Sequence, residues 1–558
     1  MKSNEKKKFK FDFKWDFWTI VTIIIALIFL VFFIYPLFSL FISGFKDTET
    51  GIFTLANFNK FFSKKYYTTA LRNSFTVTIC VTLLAILIGA PLAYINTAFK
   101  IKGKKIIEVL VIISMLSPPF IGAYSWVLLF GRSGVLTKLF ETYLHINVPT
   151  IYGFKGILLV FTLKLFPFIY LYVSGALKKI DVSLLEAAES LGCKPVKKIA
   201  TLILPLILPT LLAGSLLVFM NALADFGTPM LIGEGYNVMP VLIYSEFISE
   251  VGGQANFAAA LATIMVLITS VIFLAQKYIV NKKSFTMSSL KPLKAKKLTG
   301  AKNIFAHIFV YFTVLLAIVP QLTVIYTSFL ATKGSRFVNE FSLNSYKIVL
   351  SKLSKSITNT YLYGIIAICI IVVLGMFIAY LSIRRRNAVT TFIDTVTMFP
   401  YIIPGSVLGI TLLLAFNKKP LMLSGTFVIM IIAFVVRRLP YTLRSSAAIL
   451  YQISPSMEEA SISLGYSPVR TFFKVTAVMM LPGVFAGAIL SWITVINELS
   501  SSVILYTGGT KTLSVAIYTE VIRASYGTAA AMSAILTATT VVSLLIFFKV
   551  SGNKEISL

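Results

Sequence analysis

Apolar runs of roughly 18 residues or more recur along the whole 558-residue chain, and nothing else in it limits the fold so strongly. Each run is long enough to cross a hydrocarbon core of ~30 Å as a helix. Charged residues make up only 13% of the chain and hydrophobic ones 57%. The reading is an all-α, polytopic membrane protein of about twelve transmembrane helices. They are expected to start near residues 17, 74, 106, 156, 202 and 256, then near 303, 359, 390, 421, 475 and 527.

The first run, "FWTIVTIIIALIFLVFFIYPLFSLFIS" (17–43), exceeds the ~7–15 residues of a signal-peptide core, and no small-residue cleavage site follows it. It reads as a retained span, with the basic head 1–16 in the cytoplasm by the positive-inside rule. A net charge of +30 would suit a nucleic-acid partner. The basic residues, however, flank spans and fill short loops, as membrane topology requires, so no nucleic acid is expected. The three cysteines, Cys80, Cys193 and Cys369, are too scattered for a disulfide framework or metal cluster. His145 and His307 are isolated, and no metal site is assigned.

The segment 277–303 carries eight lysines, a proline and no acid, the profile of a cytoplasmic linker. It separates a first half, 17–276, from a second, 304–549, followed by a cytoplasmic tail, 550–558. The halves repeat. At an offset of 286, Asn73 matches Asn359, Gly89 matches Gly375, and Ala93-Tyr94 matches Ala379-Tyr380. At 273, Lys164 matches Arg437, Pro167 matches Pro440, and Gly214 matches Gly487. The difference of 13 residues is expected in the loop 131–155, against "NKKP" (417–420) in the second half. Six spans return the chain to its starting side, giving parallel repeats about an axis along the membrane normal, with a pathway expected along it.

Between the fourth and fifth spans of each half lies a polar piece, "LLEAAESLG" (184–192) and "MEEASISLG" (457–465). Ser183 with Glu186, and Ser456 with Glu459, fit the S-x-x-E capping box. Gly192 and Gly465 are placed to stop each helix in the left-handed conformation. Pro195 and Pro468 suit the first turn of a following helix. Ala187, Ala188 and Ala460 keep the surface small enough for another protein to approach closely.

The segments "EAAESLGCKPVKKIATLILPLILPTLLAG" (186–214) and "EASISLGYSPVRTFFKVTAVMMLPGVFAG" (459–487) resemble the EAA loops of binding-protein-dependent ABC importer permeases. The first departs from the pattern at Leu202. The second departs at Ser461 and at Ala477-Val478, where Leu-Pro is usual. The resemblance implies a type I permease fold and places residues 183–198 and 456–471 as coupling helices on two copies of a cytoplasmic ABC ATPase. It also implies an extracellular or periplasmic substrate-binding protein, a multi-pass place among the lipids of a prokaryotic cell membrane, and both termini in the cytoplasm. No G-x-x-x-x-G-K-[ST] is present. The chain is therefore read as a transport subunit without a cofactor or enzymatic activity of its own, ATP and magnesium being bound by the partner. The stretches 224–247 and 497–520 look like fused ferric-iron importer permeases. Thiamine, polyamine and phosphonate permeases share the architecture.

Intramembrane charge is costly and functional by default. Glu108 and Asp394 open the third span of each half, and Lys164 and Arg437 lie inside the fourth, three residues before Pro167 and Pro440. These groups read either as snorkelling and packing charges or as ion pairs that rearrange when the halves rock; which acid meets which base stays open. Asp225 and Glu498, again 273 apart, are placed toward the outer end of the fifth span. With Glu234, Glu246 and Glu250, Asp225 forms an acid-rich stretch that either attracts a cation or a basic patch, or reflects ordinary acid-outside bias. An ion-coupled secondary transporter also uses two six-helix halves but gives no reason for two capped helices. A membrane enzyme would need a convergent nucleophile, metal or acid–base set at one membrane depth, and the sparse histidines and cysteines argue against it.

Overall fold

A computed structural model describes residues 15–48, 50–116, 119–147, 149–249, 254–282 and 295–550. Most of the basic head, the middle of the linker, the C-terminal tail and Glu250 lie outside the described residues. Among the described residues the chain is helical except for one antiparallel hairpin, Leu330–Lys333 with Arg336–Phe341, which the all-α expectation did not include.

Nine helices are long and apolar enough to cross a membrane, and two bent helix pairs raise the total to eleven among the described residues. The remaining expected span, the tenth in chain order, Phe427–Gln452, is a continuous helix that carries three arginines and falls outside this total. The third span of each half is not a straight rod. In the second half Ala388–Ile402 and Gly405–Phe416 meet at 113°, and in the first half the corresponding pair meets at 98°. Proline accounts for the break in the second half, since Pro404 offers no N–H to continue the ladder and disfavours helix at Ile403. The surplus residues fall where expected: 131–155 contains an additional helix, Val135–Leu144, with no counterpart in the second half.

Each half is built on three crossing helices. Lys65–Ala98 packs along Phe154–Leu177 and Leu204–Ala224, and Ser354–Arg384 packs in the same way along Phe427–Gln452 and Ala477–Ile496. The matched glycines mark the closest crossings. A Cβ at Gly89 would lie 2.8 Å from Ile169 Cβ, and one at Gly375 would lie 3.2 Å from Thr442, 273 residues beyond Ile169. Gly214 and Gly487 meet Tyr172 and Ser445, again one repeat apart. Small residues are needed here because, in lipid, helices associate by close packing rather than by exclusion of water. The matched asparagines hold loops. Asn73 donates to the carbonyl of Asn237 at 3.1 Å, and Asn359 donates to those of Gly509 and Lys511 at 3.1 and 3.0 Å.

The halves interlock. The first helical span, Phe17–Gly44, rests on Ala255–Lys282 of its own half and reaches into the second: the Trp18 ring lies 4.5 Å from Tyr380 and, edge-on, 5.1 Å from Phe472, and Phe29, Phe33 and Leu40 are buried in the core that contains the second half. Reciprocally, Ala306, Val310, Val314 and Ala317 of helix Gly300–Ser328 are buried in the core of the first half.

Candidate gate and coupling helices

Where the halves meet, Lys164, Asn221, Asp225, Tyr401, Arg437, Arg438 and Glu498 line a cavity of about 100 Å³, room for a few water molecules. An ion pair within each half lines it. Lys164 Nζ donates to Asp225 Oδ2 at 2.8 Å, and Arg437 Nη1 donates to Glu498 Oε1 at 2.6 Å. Donor and acceptor are each displaced by 273 residues, so the same contact is made twice. The acids are held alike. The backbone N–H of Thr228 donates to Asp225 at 3.0 Å and that of Ser501, its repeat mate, donates to Glu498 at 3.1 Å. Asp225, read in the sequence as part of an acid-rich stretch, is thus paired with Lys164, and Glu498 with Arg437. The two acids end the fifth helices and turn back to the cations of the fourth, because a carboxylate leaving water is stable only when paired and hydrogen-bonded.

The repeat is broken by one charge. Arg438 Nη2 also donates to Glu498, through its other oxygen. The equivalent residue in the first half is Leu165, so three cations share the cavity with two acids. Arg438 has no charged counterpart at the 273 offset, so the repeat does not reveal it; the Arg-Arg dipeptide at 437–438 is the available signal. Gly405, just beyond the 113° bend, was also missed. A Cβ there would lie 1.6 Å from Arg437 Nη1, so this glycine leaves the space in which the guanidinium sits.

Pro167 and Pro440 lie buried within unbroken helices, Phe154–Leu177 and Phe427–Gln452. The other matched acids find unmatched partners. Glu108 Oε1 is 4.0 Å from Lys178, and Asp394 Oδ2 is 3.3 Å from Arg444. The stretch after Asp225 is largely spent on internal contacts. Glu234 pairs with Arg132 at 2.8 Å, and Glu246 accepts from the Tyr67 hydroxyl at 3.3 Å.

The two polar pieces form short helices, Val182–Ser190 and Pro455–Ser463. Their caps lie two residues upstream of the expected ones. Asp181 accepts from the Ser183 N–H and Ser454 from the Ser456 N–H, so neither Ser183 with Glu186 nor Ser456 with Glu459 forms a capping box. An upstream side-chain oxygen takes the cap, which leaves both glutamates exposed. The C-terminal stops are as expected. Gly192 (φ 75°) and Gly465 (φ 92°) are left-handed. Cys193 and Tyr466 close 6→1 bonds onto Ala188 and Ser461, completing two Schellman motifs. Pro195 and Pro468 then start helices that pass through π-turns at Ile199–Ile203 and Phe472–Thr476, one repeat apart. Ala187 and Ala460 are exposed and Ala188 half-buried. Apolar side chains project beside them: Leu191 is 88% and Leu464 81% exposed.

The two helices are anchored differently. Glu458 is bound by Arg384 Nε at 3.0 Å with both side chains mostly buried. The equivalent of Glu458 is Leu185, which is buried. In the first helix Glu189 pairs instead with Lys198 and, at 3.3 Å, with Lys296 of the linker. Lys296 is itself stitched to the end of helix Lys65–Ala98, donating its N–H to the carbonyl of Ala98 at 2.9 Å. Those two lysines hold the Glu189 carboxyl below its ordinary range, Lys198 more than Lys296.

A duplicated helical bundle with a charge-closed central cavity and two exposed capped helices defines a membrane transport subunit. The chain belongs to the binding-protein-dependent transport system inner membrane component family, whose model matches residues 82–285 and 371–552, once in each half. It is similar to the ferric transport system permease protein FbpB of Actinobacillus pleuropneumoniae, 28% identical over 93% of this chain and 76% of that protein. A putative ferric transport system permease protein FbpB 1 of Haemophilus influenzae is 27% identical over 85% of this chain and 75% of its own length. A putative 2-aminoethylphosphonate transport system permease protein PhnU of Salmonella typhimurium is 28% identical over 35% of this chain and 70% of its own. The protein is thus a multi-pass inner-membrane transport subunit that works with a binding protein.

Proposed function

We propose that this chain forms the whole translocation pathway of an ATP-driven importer for ferric iron. Helices Val182–Ser190 and Pro455–Ser463, with the turns that follow, dock on two ATPase subunits, which bind the ATP and magnesium. A loaded binding protein delivers cargo on the opposite side, and both termini lie in the cytoplasm. The observation that carries the reading is the paired capped helices, alike down to both Schellman bonds and each presenting an exposed leucine. An exposed large apolar side chain beside small alanines suits a groove on a partner. The iron assignment is supported by the two FbpB-named relatives, which match most of this chain.

In this cycle the ATPases draw the two helices together, and the fourth and fifth helices move with them. Lys164–Asp225 and Arg437–Glu498 separate and the cavity opens, with Pro167 and Pro440, three residues beyond the cations, as hinge points. Glu108 and Asp394 tune the third spans through Lys178 and Arg444. The PhnU relative favours a phosphonate as the second reading. Vesicles containing the reconstituted complex decide between them: uptake of labelled iron that stops in the Glu186→Ala, Glu459→Ala double variant supports the first. Uptake unchanged in that variant, with the ATPase still bound, removes the coupling assignment. Uptake of a labelled phosphonate in place of iron removes the cargo assignment.

A further inference from the structure

The central cavity holds an excess cation. Lys164, Arg437 and Arg438 face Asp225 and Glu498, leaving one positive charge without a counter-charge where the halves meet. Arginine does not deprotonate in proteins, and Lys164 is already spent on Asp225 at 2.8 Å, so the surplus charge stays with the guanidiniums. An uncompensated charge removed from water is strongly disfavoured. Arg438 has donor capacity to spare: Glu498 takes its Nη2, and its buried Nε has no hydrogen-bond partner among the described residues. Among the charged positions of the constellation the halves differ in charge at this one alone, Arg438 standing where the first half has Leu165.

We infer that the cavity is a binding point for a small oxyanion or carboxylate, held by Arg438 with the cations beside it. The inference deepens the import reading and rests on it for the nature of the cargo. A bare trivalent cation would enter a site that is already net positive; a ferric ion carrying oxyanion or carboxylate ligands would bring the missing negative charge with it. Hard oxygen donors of that kind are the ligands such an ion prefers.

The test has two arms. In the first, the complete complex is purified without iron and titrated with radiolabelled phosphate and, separately, radiolabelled citrate. Saturable binding of either probe that weakens at least about tenfold in Arg438→Leu and is kept in Arg438→Lys is the expected result, since only the first change removes the charge. Arg438→Gln serves the same comparison if the leucine variant is not recovered as a monodisperse complex. No saturable binding by the unaltered complex, or binding that is equal in the charge-removing variant, overturns the inference. In the second arm, vesicles receive binding protein loaded with labelled iron and labelled anion. Anion entering with iron identifies it as a ligand of the cargo; binding without co-entry identifies a free anion as resident counter-charge. Anion binding that persists while no iron enters removes the iron reading and leaves the anion site standing.

Discussion

Lys164 donates to Asp225 across the join between the fourth and fifth helices, and the two residues stand 61 positions apart, as Arg437 and Glu498 do. Equal spacing does not make the pairs equal in strength. Lysine freed of its partner can shed a proton, whereas two guanidiniums left by Glu498 cannot. Asp225→Asn should therefore lower stability less than Glu498→Gln, which should cost about 3–5 kcal/mol. Thermal unfolding of both variants in the same detergent measures the order. Equal losses would show that the acids act through their shared backbone bonds alone.

Gly405 leaves space for the Arg437 guanidinium. Gly405→Ala should displace it, costing about 1–3 kcal/mol in overpacking and strain and cutting uptake at least about tenfold. Shortening the neighbour in Gly405→Ala, Arg437→Lys should return part of both. Uptake and melting temperature that are unchanged in the single variant would sink the steric account.

Leu191 and Leu464 are too exposed to matter to the fold. Changing each to Asp should alter stability by no more than about 0.5 kcal/mol while abolishing co-purification of the ATPase. A complex that survives both changes would leave these side chains without a docking role.

Glu189 supplies a pH-dependent contact. Its carboxyl is held low in the folded chain, first by Lys198 and then by Lys296. The contribution is therefore present above the unfolded value of about 4.3 and is lost as pH falls through the folded one. Because the pair is partly exposed, it is worth less than about 1 kcal/mol. Melting curves of the unaltered protein and Glu189→Gln should differ slightly near neutral pH and converge in acid. A gap that widens in acid would reverse the assignment.

Arg384 anchors the second capped helix through Glu458, with both side chains mostly buried. Arg384→Ala should leave the ATPase bound but reduce the stimulation of ATP hydrolysis by loaded binding protein several-fold, whereas Lys198→Ala in the first half should have a smaller effect. Hydrolysis assays with and without binding protein separate the two.

Repetition and local chemistry were legible in the residues alone. Two duplicated halves followed from fixed offsets. Gly192 and Gly465 stop their helices as glycine's freedom at positive φ requires, and Pro195 and Pro468 begin the next because their missing N–H is needed by no one there. These are properties of a few neighbouring residues, and sequence holds neighbours in plain order. The caps were misplaced by two residues because several side-chain oxygens competed for the same N–H groups and only the folded backbone chose among them. Lys164 with Asp225, the reach of each first span into the opposite half, the bend that gives Gly405 its purpose, and the unmatched charge of Arg438 all depend on groups brought together from distant parts of the chain. Sequence alone fixed which charges existed and which of them repeated. Which of them met was decided by packing, since a buried ion is stable only beside a partner that the crossing of helices brings within reach.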